Sequence, residues 1–504
     1  MGVKAAFTIP NDASRINVDN ARLDEFKLMV AWKGSWIWFS VDESDGRFKS
    51  RGFHATRIRD GCNCSKCRDP TSGNKLFSTA DIPPDLEVLR VEEEPLVGLR
   101  ITFSEPEGSG EEAQHETMVP WSDVQYWTAN RRLRRWGHLP TMAAVRRRFK
   151  PFFWKSAQVE KQMKRVSWEE LQGPKGVFKV LEQVTRLGLV VVTDVPPERD
   201  AVEAVARRLG PLRETFYGRT FEVRVKADAD NVAYTGRALP LHQDLLYLSP
   251  PPRIQLLHCY DDGGAAQTPT VFCDAERIGR ILLLLRMQYP VLDPLFTDPV
   301  PYTYRADGHY YHNEHPVIDI DWRDQAYRQL WWSPPFAGHQ QVAEYSLGPW
   351  IHAAHFLAAL AKHPSNTFSL DLEAGQCVIF DNLRLLHGRP AIPPGRGPGA
   401  AERLLYGTYI APDDFYSAVL NLVDIPSIMK FRRFTKDISV EPDLGQIRAH
   451  LGALQQAAQD NPQIGLRRQP PTDEQAHAIQ TRSGRWRLNG AASHKELSSK
   501  PQVW

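Results

Sequence analysis

The chain has 504 residues, enough for roughly two to four domains, and 42% of them are hydrophobic, which suffices for buried cores. Lys and Arg total 62 against 60 Asp and Glu, a net charge of +2, whereas coating nucleic acid needs a concentrated excess of cations. No apolar run approaches the roughly 18 residues of a membrane span, and the best stretches, at 281–285 and 350–361, are broken by Arg, His or Lys within a few residues, so neither nucleic acid nor membrane is expected as a partner.

The opening MGVKAAFTIPNDASRINVDN lacks the basic-then-apolar layout of a signal peptide, and it is too acidic and arginine-poor for a mitochondrial presequence. Ala6 stands where a myristoylation signal carries Ser or Thr. A cytoplasmic, reducing compartment is expected. Residues 1–128 form one expected domain, β-rich because short apolar stretches at 28–32, 36–39, 86–91 and 97–103 alternate with Asp, Gly and Pro turn signals. Three of the six cysteines, Cys62, Cys64 and Cys67, crowd into this unit while the others, at 259, 273 and 377, are scattered. That is no disulfide scaffold, and clustered thiols in a reducing compartment point to metal. With His115 they offer the four ligands that close a tetrahedral zinc site, although a CxCxxC alone also suits a redox or adventitious metal site.

Residues 129–164 read as a linker. Arg131, Arg132, Arg134, Arg135, Arg146, Arg147, Arg148 and Lys150 make it basic, and such a run is more often a solvated face than a contact for nucleic acid. Residues 165–430 form the largest expected domain. The run GLVVVT at 188–193 and the stretch 377–380 read as strands, and 200–209 and 350–363 as helices. Mixed strands with few long helices predict an α+β, mainly β fold, a distorted barrel or jelly roll, rather than a parallel sheet. From 431 to 504 lies a C-terminal extension whose composition turns to Gln, Ala, Ser, Pro and Arg, and a largely disordered tail is expected.

His242-Gln243-Asp244 places an imidazole and a carboxylate on one side of an extended strand. Joined by a distant His, they make the facial triad that holds Fe(II) and leaves positions open. Alone the tripeptide is weak, because with 16 histidines about one such spacing arises by chance, and a hydrogen-bonded surface pair is its commoner meaning. The context is richer: NVAYTGRALPLHQD is followed by SPPPRIQLLHCY, then by FDNLRLLHGR around His387, then by RLLYGTY from Arg403. An arginine opening a strand beside such a site suits a dicarboxylate, which its fork grips at two points.

These motifs, in this order over most of residues 165–425, resemble the γ-butyrobetaine dioxygenase and trimethyllysine dioxygenase family of Fe(II)/2-oxoglutarate oxygenases. The resemblance implies a double-stranded β-helix core, with iron on His242, Asp244 and His387 and the far carboxylate of 2-oxoglutarate on Arg403, aided by Thr270. It implies zinc on Cys62, Cys64, Cys67 and His115 in the N-terminal domain. It also implies ascorbate as reductant, O2 as cosubstrate, a homodimer, and for some relatives a mitochondrial location. A trimethylammonium group donates no hydrogen bond and is held against aromatic faces. The family's cage falls here on Tyr217, Tyr234 and Tyr409, with Phe221 where Trp is common. The implied reaction hydroxylates a small quaternary-ammonium substrate, γ-butyrobetaine first, with trimethyllysine or another cationic amine as the alternative and a non-catalytic binding module as a rival. The chain departs from the pattern at Gln243, where Thr is usual, at Leu330-Trp-Trp-Ser-Pro-Pro, where an Asn-bearing segment is usual, and in a Pro-rich insertion at 393–399.

Overall fold

The structure is a computed structural model that describes residues 9–18, 28–42, 48–104, 114–121, 123–124, 149–224, 237–262, 268–306, 308–321, 325–342, 344–391, 403–422 and 456. Tyr234, most of the basic linker, the insertion at 393–399 and the tail beyond 431 except residue 456 lie outside them. The described residues up to 124 belong to one compact unit and those from 149 to 422 to a second.

In the N-terminal unit the predicted strands are present. Ser14–Val18, Leu28–Lys33, Trp36–Asp42 and Phe48–His54 pair antiparallel in sequence order. The turn between the second and third needs Gly34, whose φ of +53° few other residues tolerate. Val88–Glu94, Gly98–Ser104 and Gln114–Pro120 form a second antiparallel sheet. Alternate residues of both sheets, among them Val30, Ile37, Phe39, Leu99, Ile101 and Phe103, share one buried core.

The larger unit is built on two sheets. The first orders Phe221–Val223, Leu404–Ile410, Ile254–Asp261, Cys377–Asp381, Leu189–Thr193 and Arg165–Ser167, antiparallel except for its last pair. The second orders Leu239–His242, Leu385–Arg389, Thr270–Asp274 and Thr367–Leu370, all antiparallel. Leu257, Val378, Phe380 and Leu405 of the first meet Phe272, Phe368, Leu370 and Leu385 of the second in one core, with Phe272 and Phe380 edge to face at 5.1 Å. The predicted helix at 350–363 begins earlier, as Glu344–Lys362, and runs through Pro349. A proline biases the residue before it away from helix, so the sequence suggests a later start.

Arg384 joins these layers. It is 3% exposed and bonds the Asp274 carboxylate at 2.9 Å, the carbonyls of Thr185 and Arg186 at a helix end, and the carbonyl of Phe152. Asp274 also caps the helix Ala275–Arg286. Removing one partner of such a pair strands a buried charge, so Arg384→Ala is expected to lose about 3–5 kcal/mol of stability in urea unfolding. A loss under about 1 kcal/mol, the value of an exposed pair, would show the pair to be dispensable.

Candidate active site

Strand Leu239–His242 runs beside Leu385–Arg389 with His242 directly opposite His387. Their rings lie 4.4 Å apart. The turn after the first strand brings Asp244 to both, with Oδ1 3.1 Å from His242 Nε2 and 3.9 Å from His387 Nε2. Three ligands on one face of an octahedron, each about 2.1 Å from a metal, sit about 3 Å apart, close to the spacing found. The donor chemistry fits as well. His242 donates its Nδ1–H to the Pro240 carbonyl at 2.8 Å, so in the neutral ring the Nε2 lone pair faces a carboxylate oxygen. Two facing lone pairs need a positive centre between them, a proton or a metal ion. Burial, and then the charge of His242, push His387 down to about 3, leaving it neutral, the form of imidazole able to ligate a metal. Burial alone pushes the Asp244 carboxyl up. The hydrogen bond with His242, the charges of His387 and His242, and the Tyr409 hydroxyl outweigh it and hold the carboxyl below its ordinary range.

Two further side chains hold Asp244. Tyr409 donates its hydroxyl to Oδ2 at 2.7 Å. Asn382, fully buried, accepts from the Asp244 backbone N–H at 2.8 Å and donates to its carbonyl at 3.1 Å and to that of Pro252 at 3.0 Å. Asn382 stands five residues before His387, so one amide ties both parts of the donor set.

Aromatic rings adjoin the donors. Phe221 stacks on Tyr409 at 5.0 Å and lies 6.3 Å from Tyr217. This stack requires Gly407, because a Cβ there would come within 2.2 Å of the Phe221 ring. Tyr217 lies 4.1 Å from Phe216 and 6.3 Å from Tyr304, and Tyr247 lies 5.4 Å from Tyr304 and 5.3 Å from Phe336. Arg403 is half-buried and donates from Nη1 to the carbonyl of Thr268 at 2.6 Å, while its Nη2 is buried with no hydrogen-bond acceptor. A buried guanidinium N–H left without an acceptor suits an incoming carboxylate. Thr270 is buried at the start of its strand, on the face it shares with Phe272, which pairs with His387.

In the N-terminal unit the backbone N–H groups of Cys67 and Arg68 both bond the Cys64 carbonyl at 2.9 Å, a tight turn that gathers the thiols. His115 Nε2 lies 3.2 Å from Cys62 Sγ, 3.5 Å from Cys67 Sγ and 3.9 Å from Cys64 Sγ. A tetrahedral zinc with thiolate and imidazole ligands would space them by about 3.6 Å. Burial and the neighbouring Cys62 charge push Cys67 up to about 12, so several thiolates form together only around a cation.

Comparison with known proteins matches this architecture. The family described as taurine catabolism dioxygenase TauD, TfdA family covers residues 155–409, and a γ-butyrobetaine hydroxylase-like N-terminal family covers 39–111. Dioxygenase str8 of Strobilurus tenacellus is 32% identical over 382 residues, 71% of this chain and 82% of that protein. The chain belongs to the TauD/TfdA dioxygenase family. The γ-butyrobetaine dioxygenase of Pseudomonas sp. (strain AK-1) is 28% identical over 76% of this chain and 93% of its own. Human mitochondrial trimethyllysine dioxygenase is 27% identical over 48% and 57%. The protein is thus a 2-oxoglutarate-dependent dioxygenase, an oxidoreductase that uses iron, 2-oxoglutarate and O2, of the γ-butyrobetaine dioxygenase-like kind. No helix among the described residues is long and apolar enough to cross a membrane.

The structure brings His242, Asp244 and His387 together, and likewise Tyr217, Phe221 and Tyr409, and Cys62, Cys64, Cys67 and His115. Sequence reasoning missed the hydroxyl bond of Tyr409 to Asp244, the Asn382 clamp, and the rings of Phe216, Tyr247 and Tyr304. Asn382 stood inside a quoted motif, and Phe216 beside Tyr217, but only three-dimensional proximity distinguishes them from core residues.

Proposed function

We propose that this dioxygenase hydroxylates an unactivated C–H of a small quaternary-ammonium substrate, with γ-butyrobetaine, giving L-carnitine, as the leading candidate. Trimethyllysine or another cationic amine is the alternative. The observation that carries the reading is the junction at Tyr409, whose hydroxyl bonds the donor carboxylate while its ring stacks on Phe221. A cation lodged on those faces has its neighbouring carbons beside the metal donors.

In this reading His242, Asp244 and His387 hold Fe(II), and Arg403, aided by Thr270, grips the distal carboxylate of 2-oxoglutarate. Bound there, iron would activate O2, the oxidant, with 2-oxoglutarate supplying two electrons as it is oxidised to succinate and CO2 and taking up one oxygen atom, and ascorbate would keep the metal reduced. The protein's part is placement. Tyr217, Phe221 and Tyr409 would enclose the cation, a cage to which the family resemblance also assigns Tyr234, and Tyr409, pushed well above its ordinary range by burial and by Asp244, stays protonated and keeps its donor on Oδ2. Asn382 keeps the Asp244 backbone from turning away from His387. Cys62, Cys64, Cys67 and His115 hold a structural zinc. The two facing sheets support a double-stranded β-helix within a domain of 165–430, and the family's habit favours a homodimer.

The test is anaerobic reconstitution with Fe(II), then 2-oxoglutarate, oxygen and γ-butyrobetaine, followed by mass spectrometry. The expected product is one oxygen atom heavier and forms one for one with succinate. Succinate without that product would reject γ-butyrobetaine and pass the test to trimethyllysine.

A further inference from the structure

Gln243 lies between two donors of the iron site and points away from them. Its side chain is fully buried, which for an amide demands hydrogen bonds. They run to chain segments remote in sequence. The Gln243 backbone N–H donates to the Trp332 carbonyl at 2.9 Å, and the Trp332 N–H donates to Gln243 Oε1 at 2.9 Å. Gln243 Nε2 donates to the carbonyls of Leu330 at 3.0 Å and Leu383 at 2.9 Å. Gln329 donates to the same two carbonyls. The segment 330–332 is therefore registered directly against the His242–Asp244 turn.

That segment in turn carries the hairpin Pro299–Ala306 and His309–Pro316. Trp331 stacks on His315 at 4.2 Å and 15°, and its carbonyl accepts the Tyr302 hydroxyl at 3.2 Å. Across the hairpin Val300 pairs with His315, Tyr302 with Asn313, Tyr304 with Tyr311 and Ala306 with His309, so these residues share one face. Its far end lies on the rings beside the donors, with Tyr304 4.6 Å from Phe216 and Tyr311 5.3 Å from Phe216. One face thus spans from the Trp331 anchor to the aromatic cluster around Tyr217.

We propose that Gln243 is a positioning residue that registers the aromatic face of this hairpin against the iron ligands and thereby selects which substrate C–H faces the metal. The inference rests on the aromatic pocket proposed above as the substrate site. Gln243 itself touches neither metal nor substrate. A Thr at this position cannot span to Leu330, Leu383 and Trp332 together, so a chain carrying Thr would leave segment 330–332 and its hairpin free to take another register.

The test compares wild type with Gln243→Met, of similar length without the amide, and with Trp331→Leu, which leaves the Gln243 partner atoms in place and removes the His315 stack with the ring's core packing. Three quantities are read: Fe(II) and 2-oxoglutarate affinity from the anaerobic charge-transfer absorption, hydroxylated product per succinate with γ-butyrobetaine, and tetramethylammonium binding to the metal-free protein by tryptophan fluorescence. Both variants are expected to keep iron and cosubstrate affinity within about twofold while product per succinate falls by about tenfold to a hundredfold, the effect of an ångström-scale misplacement. Tetramethylammonium binding should weaken about tenfold. Unchanged coupling and binding in either folded variant would overturn the proposal. So would a loss of iron affinity in step with coupling, which would make Gln243 a support of the donors alone. If Gln243→Met fails to fold, Trp331→Leu decides by the same readings. If wild type does not hydroxylate γ-butyrobetaine, that substrate reading fails by itself, and the tetramethylammonium comparison still decides the role of Gln243.

Discussion

Asp244→Ala is expected to abolish hydroxylation, lowering kcat by at least about a thousandfold, while zinc content and the unfolding transition stay near wild type. Asp244 is the only carboxylate in the His242, Asp244, His387 group, and its removal leaves two imidazoles with no anion to balance a divalent cation. The bond from Tyr409 loses its acceptor at the same time. The fold should tolerate the change, because Asn382 bonds the backbone of residue 244 and not its side chain, so the turn keeps both hydrogen bonds. Succinate and hydroxylated product should vanish together. Wild-type turnover in a variant of confirmed sequence would sink the assignment of iron to these residues. Tyr409→Phe separates the two parts of the site, since it keeps the ring against Phe221 and removes only the donor.

The zinc prediction has a comparable size. Purified without chelator, the protein is expected to carry one zinc per chain, lost in Cys67→Ser. Structural zinc contributes about 10–16 kcal/mol of apparent binding energy in small metal-dependent folds. Here the N-terminal unit also has its own core, with Leu99, Ile101 and Phe103 fully buried, so stripping the metal should loosen it rather than erase it. The effect should concentrate where the ligands attach: amide exchange protection should fall first around residues 62–68 and in Gln114–Pro120, which carries His115. The sign with pH follows from Cys67, pushed up to about 12. Metal must displace protons from the thiols, so zinc binding weakens as pH falls and tightens as it rises. Undiminished protection in metal-free protein, or purified protein without zinc, would end the structural-zinc reading.

The residues of the candidate site were legible through the family resemblance and not from HxD alone, which is too short to tell a metal donor pair from a surface pair. What carried the resemblance was the order of several longer motifs, among them the later HGR and the arginine after it. The strands Leu189–Thr193 and Cys377–Asp381 were equally legible because buried sheet interiors demand apolar, β-branched runs. The hairpin strand His309–Pro316 was not. HYYHNEHP has no apolar alternation, its inner face being made of His, Tyr and Asn that bond one another and partners elsewhere such as the Leu248 carbonyl. Gln243 could be noticed as a departure, but its acceptors lie 87 and 140 residues away. Nor could sequence reveal that Tyr409 faces Asp244 with its hydroxyl as well as presenting its ring, because both roles ask for the same residue.

The Asn382 clamp also bears on which metals the protein meets in a cell. Because the Asn382 amide bonds the backbone of Asp244 at two points, the turn that carries the carboxylate is set by the fold, whichever ion it serves. A preset nitrogen and carboxylate face discriminates poorly among divalent ions, and cobalt, nickel and copper bind such donors more tightly than ferrous iron does. Fidelity for iron therefore rests with the cell's metal supply, and an excess of nickel or cobalt would act as a competitive poison at the very geometry that makes the enzyme ready to work.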